Sequence, residues 1–125
     1  MLNDILIYVG AGIITVWGIA HIVPTKSVVC GFGQISKDYK RIITMEWIAE
    51  GLTLCFIGLL VLFITVTGGT RNPISLNVYR ASALMLVVMA ILTAFTGART
   101  SIVPIKICPI VKIIVAILFF LGTYL

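Results

Sequence analysis

Four apolar stretches, each long enough to cross a lipid bilayer, leave this chain few folds to choose from. A hydrocarbon core of about 30 Å takes ~20 apolar residues of helix. Inside it the backbone must satisfy its own hydrogen bonds, so spanning segments are helices or closed barrels. The stretches at 5–23, 42–66, 76–97 and 108–125 are continuously apolar rather than alternating, and they read as helices. Pro24 ends the first and Gly68-Gly69 stops the second. Pro109 reads as part of the opening turn of the fourth, with an earlier start near Ile102 as the alternative. The expected architecture is all-α: an integral membrane four-helix bundle forming one domain over residues 1–125, with no room for a soluble domain.

Composition closes off the soluble alternatives. Charged residues make up 10% of the chain and hydrophobic residues 61%, against roughly 25% charge in a soluble domain. The net charge of +5 is not a nucleic-acid signal, because the nine Lys and Arg residues sit mostly at segment ends. Lys26, Lys37, Lys40 and Arg41 fall in connection 24–41, and Arg99 and Lys106 in connection 98–107, with Lys112 just inside the fourth helix. Arg71 alone marks the short connection after Gly69, with Arg80 just inside the third helix, and the two terminal segments hold no Lys or Arg. The positive-inside rule then puts connections 24–41 and 98–107 in the cytoplasm and both termini outside, in a bacterial or archaeal plasma membrane. Asp4 stands where a signal peptide would be basic, and Ala20-His21 runs into Ile-Val-Pro rather than a cleavage site, so the first helix reads as retained. Cys30, Cys55 and Cys108 are odd in number, form no CxxC, and read as free thiols.

Connection 24–41 is too apolar for a solvated linker. Ser27-Val28-Val29-Cys30 followed by Tyr39 among Lys37, Lys40 and Arg41 suggests a partly buried segment along the membrane surface. Gly31-Phe32-Gly33 lacks the third glycine and the preceding strand of a dinucleotide fingerprint. Ile22-Val23-Pro24-Thr25-Lys26 is echoed by Ile102-Val103-Pro104-Ile105-Lys106. Parallel duplication would give such an echo, but Ile and Val abound here and membrane exits attract Pro and Lys, which is the simpler account. Small residues mark packing seams: Gly10, Ala11, Thr15 and Gly18 on the first helix, and Ala83, Ala90, Ala94 and Gly97 on the third.

Ionisable groups at membrane depth need a partner or a purpose. Arg80 shares a stripe with Ala83, Val87, Ala90 and Ala94, which points it into the bundle near Asp4, and a structural Asp4–Arg80 ion pair is the expected outcome. The other end is richer. Glu46 and Glu50 lie four apart, on one face of the second helix, one and two turns inside the membrane. His21, Arg99 and Lys112 come to similar depth from the other three helices. The expected site is a polar pocket lined by His21, Glu46 and Glu50, with Trp47 at its rim, Arg99 and Lys112 nearby, and Gly18 and Gly51 permitting close helix approach. The plainer readings are that Glu46 pairs with Lys40 or Arg41 and favours a helix N-terminus, and that Lys112 snorkels. One His and two Glu match metal ligands by type, but with no HExxH and no second His no metal is expected, a single His gives little support to a haem, and no cofactor can be named.

Among four-helix membrane families, the small multidrug transporters carry a carboxylate in the middle of helix one, and this helix has none after Asp4. Residues 5 to 60 are similar to the DoxX-like group: a Gly-rich first helix closing Gly18-Ile-Ala-His21-Ile-Val-Pro24, a short apolar interfacial stretch, and a second helix that opens with charge and carries Glu50-Gly51. The resemblance implies a four-helix membrane fold and an accessory place beside membrane redox complexes, and it transfers no catalytic residue. Three functions remain in play. The first is a non-catalytic module binding a membrane lipid, a quinone or a membrane protein partner. The second is a small oligomeric transporter or channel subunit using the Glu/His cluster. The third is a membrane enzyme of unnamed substrate.

Overall fold

The computed structural model describes all 125 residues, and it is helical with no strand. The helices are α1 (Leu2–Ile22), α2 (Thr25–Cys30), α3 (Lys37–Gly68), α4 (Pro73–Phe95) and α5 (Val103–Tyr124), with a single 3-10 turn at Gly97–Arg99 before α5. α1, α3, α4 with its following turn, and α5 are each long and apolar enough to cross a membrane.

Helix boundaries follow from capping chemistry more than from hydropathy. α3 starts five residues ahead of the apolar stretch because Ser36 accepts the Tyr39 backbone N–H at 3.2 Å, with Asp38 in the first turn. Its 32 residues span about 48 Å, more than a hydrocarbon core, and its charged opening Lys37-Asp38-Tyr39-Lys40-Arg41 is the part least suited to one. It ends at Gly69, whose φ of 78° favours glycine. Asn72 caps α4 by accepting the Ile74 N–H at 2.9 Å, with Pro73 in the first turn. α5 corrects the reading of Pro109. The helix starts at Val103 with Pro104 in its first turn, and Pro109 lies inside it. Pro109 has no N–H to give to Ile105, so the Ile105 carbonyl is left without its helical donor.

The interfacial segment forms α2, which packs against α3 and buries Val29. The two Ile-Val-Pro stretches take unlike roles. Pro24 separates α1 from α2, whereas Pro104 opens α5.

α1 packs against α3 and α5, α5 packs against α1 and α4, and the lighter α3–α4 contact closes the bundle. The core joins Ile7, Ala11 and Ile14 of α1 to Leu54, Ile57 and Val61 of α3, Tyr79, Ala83 and Leu86 of α4, and Val115, Ala116 and Phe119 of α5. Outward faces carry Val16, Phe56, Phe63, Leu84, Leu92 and Phe95, all exposed, as a lipid-facing surface requires. The α1–α3 crossing depends on Gly18 and Gly51. A Cβ on Gly18 would meet the Gly51 carbonyl oxygen at 2.8 Å and the Cys55 backbone nitrogen at 2.8 Å, and neither backbone atom can move aside. On α4 the buried face runs through Ser75, Tyr79, Ala83, Leu86, Ala90 and Thr93, with Ala94 exposed. It shares Ala83 and Ala90 with the Arg80–Ala94 stripe but is rotated toward Tyr79 and Thr93, whose hydroxyls find partners across the bundle, so Ala94 is left exposed.

Candidate functional site

The α2 end of the bundle gathers its buried charge around Glu50. Lys112 of α5 is fully buried, and its Nζ donates to Glu50 Oε1 and, at 2.8 Å, to Thr93 Oγ1 of α4. His21 of α1 brings Nε2 to 3.4 Å from the other carboxylate oxygen, Glu50 Oε2. That approach lacks hydrogen-bond geometry, so Nε2 is buried with no hydrogen-bond partner. All four spanning helices therefore contribute to one polar centre. Only the Glu50 side chain is partly open, at 29% exposure, against 7% for His21 and 0% for Lys112.

Aromatic rings hold the imidazole. Trp47 stacks on His21 with ring centroids 4.1 Å apart and planes inclined by 16°. Trp47 Nε1 donates to the His21 backbone carbonyl at 2.7 Å, which fixes the indole against α1. One turn above, Trp17 Nε1 donates to Cys108 Sγ at 3.3 Å and ties α1 to α5.

Two cavities flank this stack. One of about 310 Å³ lies between Trp17, His21, Pro24 and Trp47 on one side and Pro104, Ile105 and Ile107 on the other. The second, about 410 Å³, lies between α3 and α4, lined by His21, Glu46, Trp47 and Glu50 opposite Met85, Met89, Leu92, Thr93 and Thr96. His21, Trp47 and Ile105 line both, so the stacked pair forms the partition between them. The carboxylate and imidazole face a wall of Met and Leu, a combination suited to an amphipathic guest.

The six residues singled out from sequence fare differently. His21, Glu46, Trp47 and Glu50 line the larger cavity, and Lys112 lies behind Glu50. Trp47 is the dividing wall rather than a rim residue. Glu46 is exposed and forms no ion pair, so it is not partnered by Lys40 or Arg41. Lys112 does not snorkel, because Glu50 and Thr93 hold its ammonium inside. Arg99 stands outside the pocket, exposed, with its guanidinium 5.7 Å from the Phe95 ring. Sequence reasoning missed Thr93 and the Met85–Met89 wall. Thr93 had a signal, an isolated hydroxyl in an apolar helix at the depth of Lys112.

The Asp4–Arg80 pair does not form. Asp4 accepts a hydrogen bond from the Thr70 hydroxyl and lies 3.9 Å from the N-terminal ammonium. Arg80 instead lies over the Tyr124 ring at 5.6 Å, with its Nε buried and unpartnered. The connection before α4 brings Thr70 to Asp4 first, which a helix-face argument could not show. No three His, Cys, Asp or Glu side chains gather as a metal-holding set. The chain matches no protein-family model, no curated protein and no solved structure.

Proposed function

We propose that this chain is a non-catalytic intramembrane binding module that takes the polar ring of an amphipathic ligand, such as a quinone, into the cavity between α3 and α4. The observation that carries the reading is His21 Nε2, buried without a hydrogen-bond partner at the wall of that cavity, beside a partly open Glu50. A buried polar nitrogen without a hydrogen bond costs up to roughly 1–3 kcal/mol, offset in part here by the Glu50 carboxylate 3.4 Å away, and a ligand carbonyl or hydroxyl reaching it would remove what remains. The stacked Trp47 and the Met85 and Met89 side chains supply a flat face and an adaptable apolar wall. The resemblance to DoxX-like proteins agrees with an accessory subunit of a membrane redox complex, alone or as a homo-oligomer.

Titration of protein in nanodiscs with a short-chain quinone tests this, read by quenching of tryptophan fluorescence. Saturable quenching is expected in the wild type, lost in His21→Ala and in Met89→Trp, which fills the cavity. Absence of saturation, or unchanged saturation in both variants, would refute the reading.

A second reading is favoured by one feature: Glu50 is shared between Lys112 and His21, an array that could pass a proton from α5 to α1. A small transporter built this way would lose transport in Glu50→Gln while the folded protein still assembled in liposomes.

The orientation we propose has both termini outside and connections 24–41 and 98–107 in the cytoplasm of a bacterial or archaeal cell. It is supported by Lys26, Lys37, Lys40, Arg41, Arg99 and Lys106 at the α2 end against Arg71 and Arg80 at the other. An impermeant maleimide on intact cells should leave Cys30 unlabelled and label an Asn72→Cys variant. Labelling of Cys30 from outside reverses the orientation.

A further inference from the structure

α2 and the foot of α3 enclose a cleft of about 400 Å³ that is separate from the His21–Glu50 cavities. Two lysines face it, Lys26 of α2 and Lys40 in the first turn of α3, and neither forms an ion pair. Asp38, the nearest carboxylate along α3, is not among the lining residues, and Glu46 is one to two turns further on and lines the other cavity. The hydroxyls of Thr25 and Thr44 are already committed to the Ile22 and Lys40 carbonyls, so the ammonium groups are the cleft's free side-chain donors. Val23 and Val29 give it an apolar side, and Val29 is buried. The cleft lies at the C-terminal end of α1 and beside the charged first turns of α3, a helix longer than a hydrocarbon core, which suits the membrane boundary. Two unpaired cations, an apolar wall and this depth share one complement: a phosphate oxyanion whose substituent is greasy.

We propose that this cleft binds the phosphate group of an anionic ligand at the membrane boundary, held between Lys26 and Lys40. A phospholipid head and a free phosphate share that chemistry, and the experiment separates them. Cys30 lines the cleft and is exposed, which makes its thiol a reporter of occupancy. The measurement is the rate of Cys30 alkylation by uncharged N-ethylmaleimide, localised by peptide mass spectrometry. Protein is placed in vesicles of phosphatidylcholine alone or with phosphatidylglycerol, and in detergent with or without inorganic phosphate. A Lys37→Cys variant reports how the charged vesicle itself alters thiol reactivity outside the cleft.

Phosphatidylglycerol should slow Cys30 labelling more than it slows the Lys37→Cys thiol. Each lysine should contribute roughly fivefold to the binding constant. The K26Q/K40Q variant should lose the protection, K26R/K40R should keep it, and K37Q/R41Q, which removes neighbouring charge outside the cleft, should also keep it. Protection by phosphatidylglycerol but not by phosphate makes the ligand a lipid. Protection by phosphate in detergent makes it a soluble anion. If neither protects Cys30 beyond the Lys37→Cys control, or if K37Q/R41Q abolishes protection as fully as K26Q/K40Q, the site does not exist.

Discussion

The two ends of this bundle bury polar groups in opposite ways. At the α2 end the buried groups are ionisable, Lys112, Glu50 and His21, and every cavity of the molecule lies around or beyond them. At the other end the buried side chains are neutral, Asn3, Thr65, Ser75, Tyr79, Ser82 and Thr123, with only the Nε of the half-buried Arg80 among them, in a region with no cavity. There the Tyr79 and Thr65 hydroxyls bond at 2.6 Å across α3 and α4, and Thr65 also donates to the Val61 carbonyl at 2.6 Å. The same two helices that flank the cavity beside Glu50 are thus joined by hydroxyls at the far end. Neutral hydrogen bonds can be packed away at little cost, whereas buried charge needs a partner and is retained where it serves a purpose. The closed end acts as the clasp, and the charged end as the opening.

The largest expected effect comes from breaking the charged centre on one side. Lys112→Met leaves Glu50 without its cation, and since Glu50 is partly open the loss should fall at or below the lower end of the roughly 3–5 kcal/mol seen when a fully buried ion pair is cut. Removing both charges, in E50L/K112M, should recover much of that stability. Thermal unfolding in nanodiscs gives both values. Equal destabilisation by the single and double variants would mean that the pair has no structural part in the bundle.

The clasp should respond less and differently. Tyr79→Phe removes the hydroxyl that meets Thr65, yet Thr65 keeps its bond to Val61, so no buried donor is orphaned on α3. The expected cost is about 1 kcal/mol, with quinone titration unchanged. If Tyr79→Phe weakened ligand binding as much as His21→Ala does, the two ends would be coupled and the division drawn above would fail.

Much of the charged end was legible in the sequence, and little of the clasp. Glu46, Glu50, His21 and Lys112 could be brought to one depth by counting residues from the span ends, because helical rise is fixed and the membrane supplies a common origin. Gly18 and Gly51 pointed to the close crossing of α1 and α3 for the same reason. What counting could not supply was rotation about each helix axis. The α4 stripe chosen from small residues put Arg80 and Ala94 inward, whereas hydrogen bonds to Thr65 and Lys112 turn Tyr79 and Thr93 in. Boundary residues were misjudged where polar capping extends a helix past its apolar run, as Ser36 does for α3, and where Pro109 is carried inside α5.

The smallest effect tests the outer boundary of the clasp, where the sequence suggested a charge pair. Asp4 is occupied by Thr70, and Arg80 lies over Tyr124, so each charge has its own local partner. Arg80→Ala should cost about 0.5–1 kcal/mol, the worth of a cation–π contact near the surface. Asp4→Asn retains an oxygen that can accept from Thr70 and should cost still less. Since the two side chains share no partner, the double variant should equal the sum of the singles to within about 0.5 kcal/mol. Thermal unfolding of the four proteins in nanodiscs completes the cycle. A coupling of 1 kcal/mol or more, roughly the scale seen for groups in direct contact, would show that Arg80 leaves Tyr124 for Asp4 in the membrane. The buried, unpartnered Arg80 Nε would then have its acceptor, and the clasp would be ionic at its outer edge rather than neutral throughout.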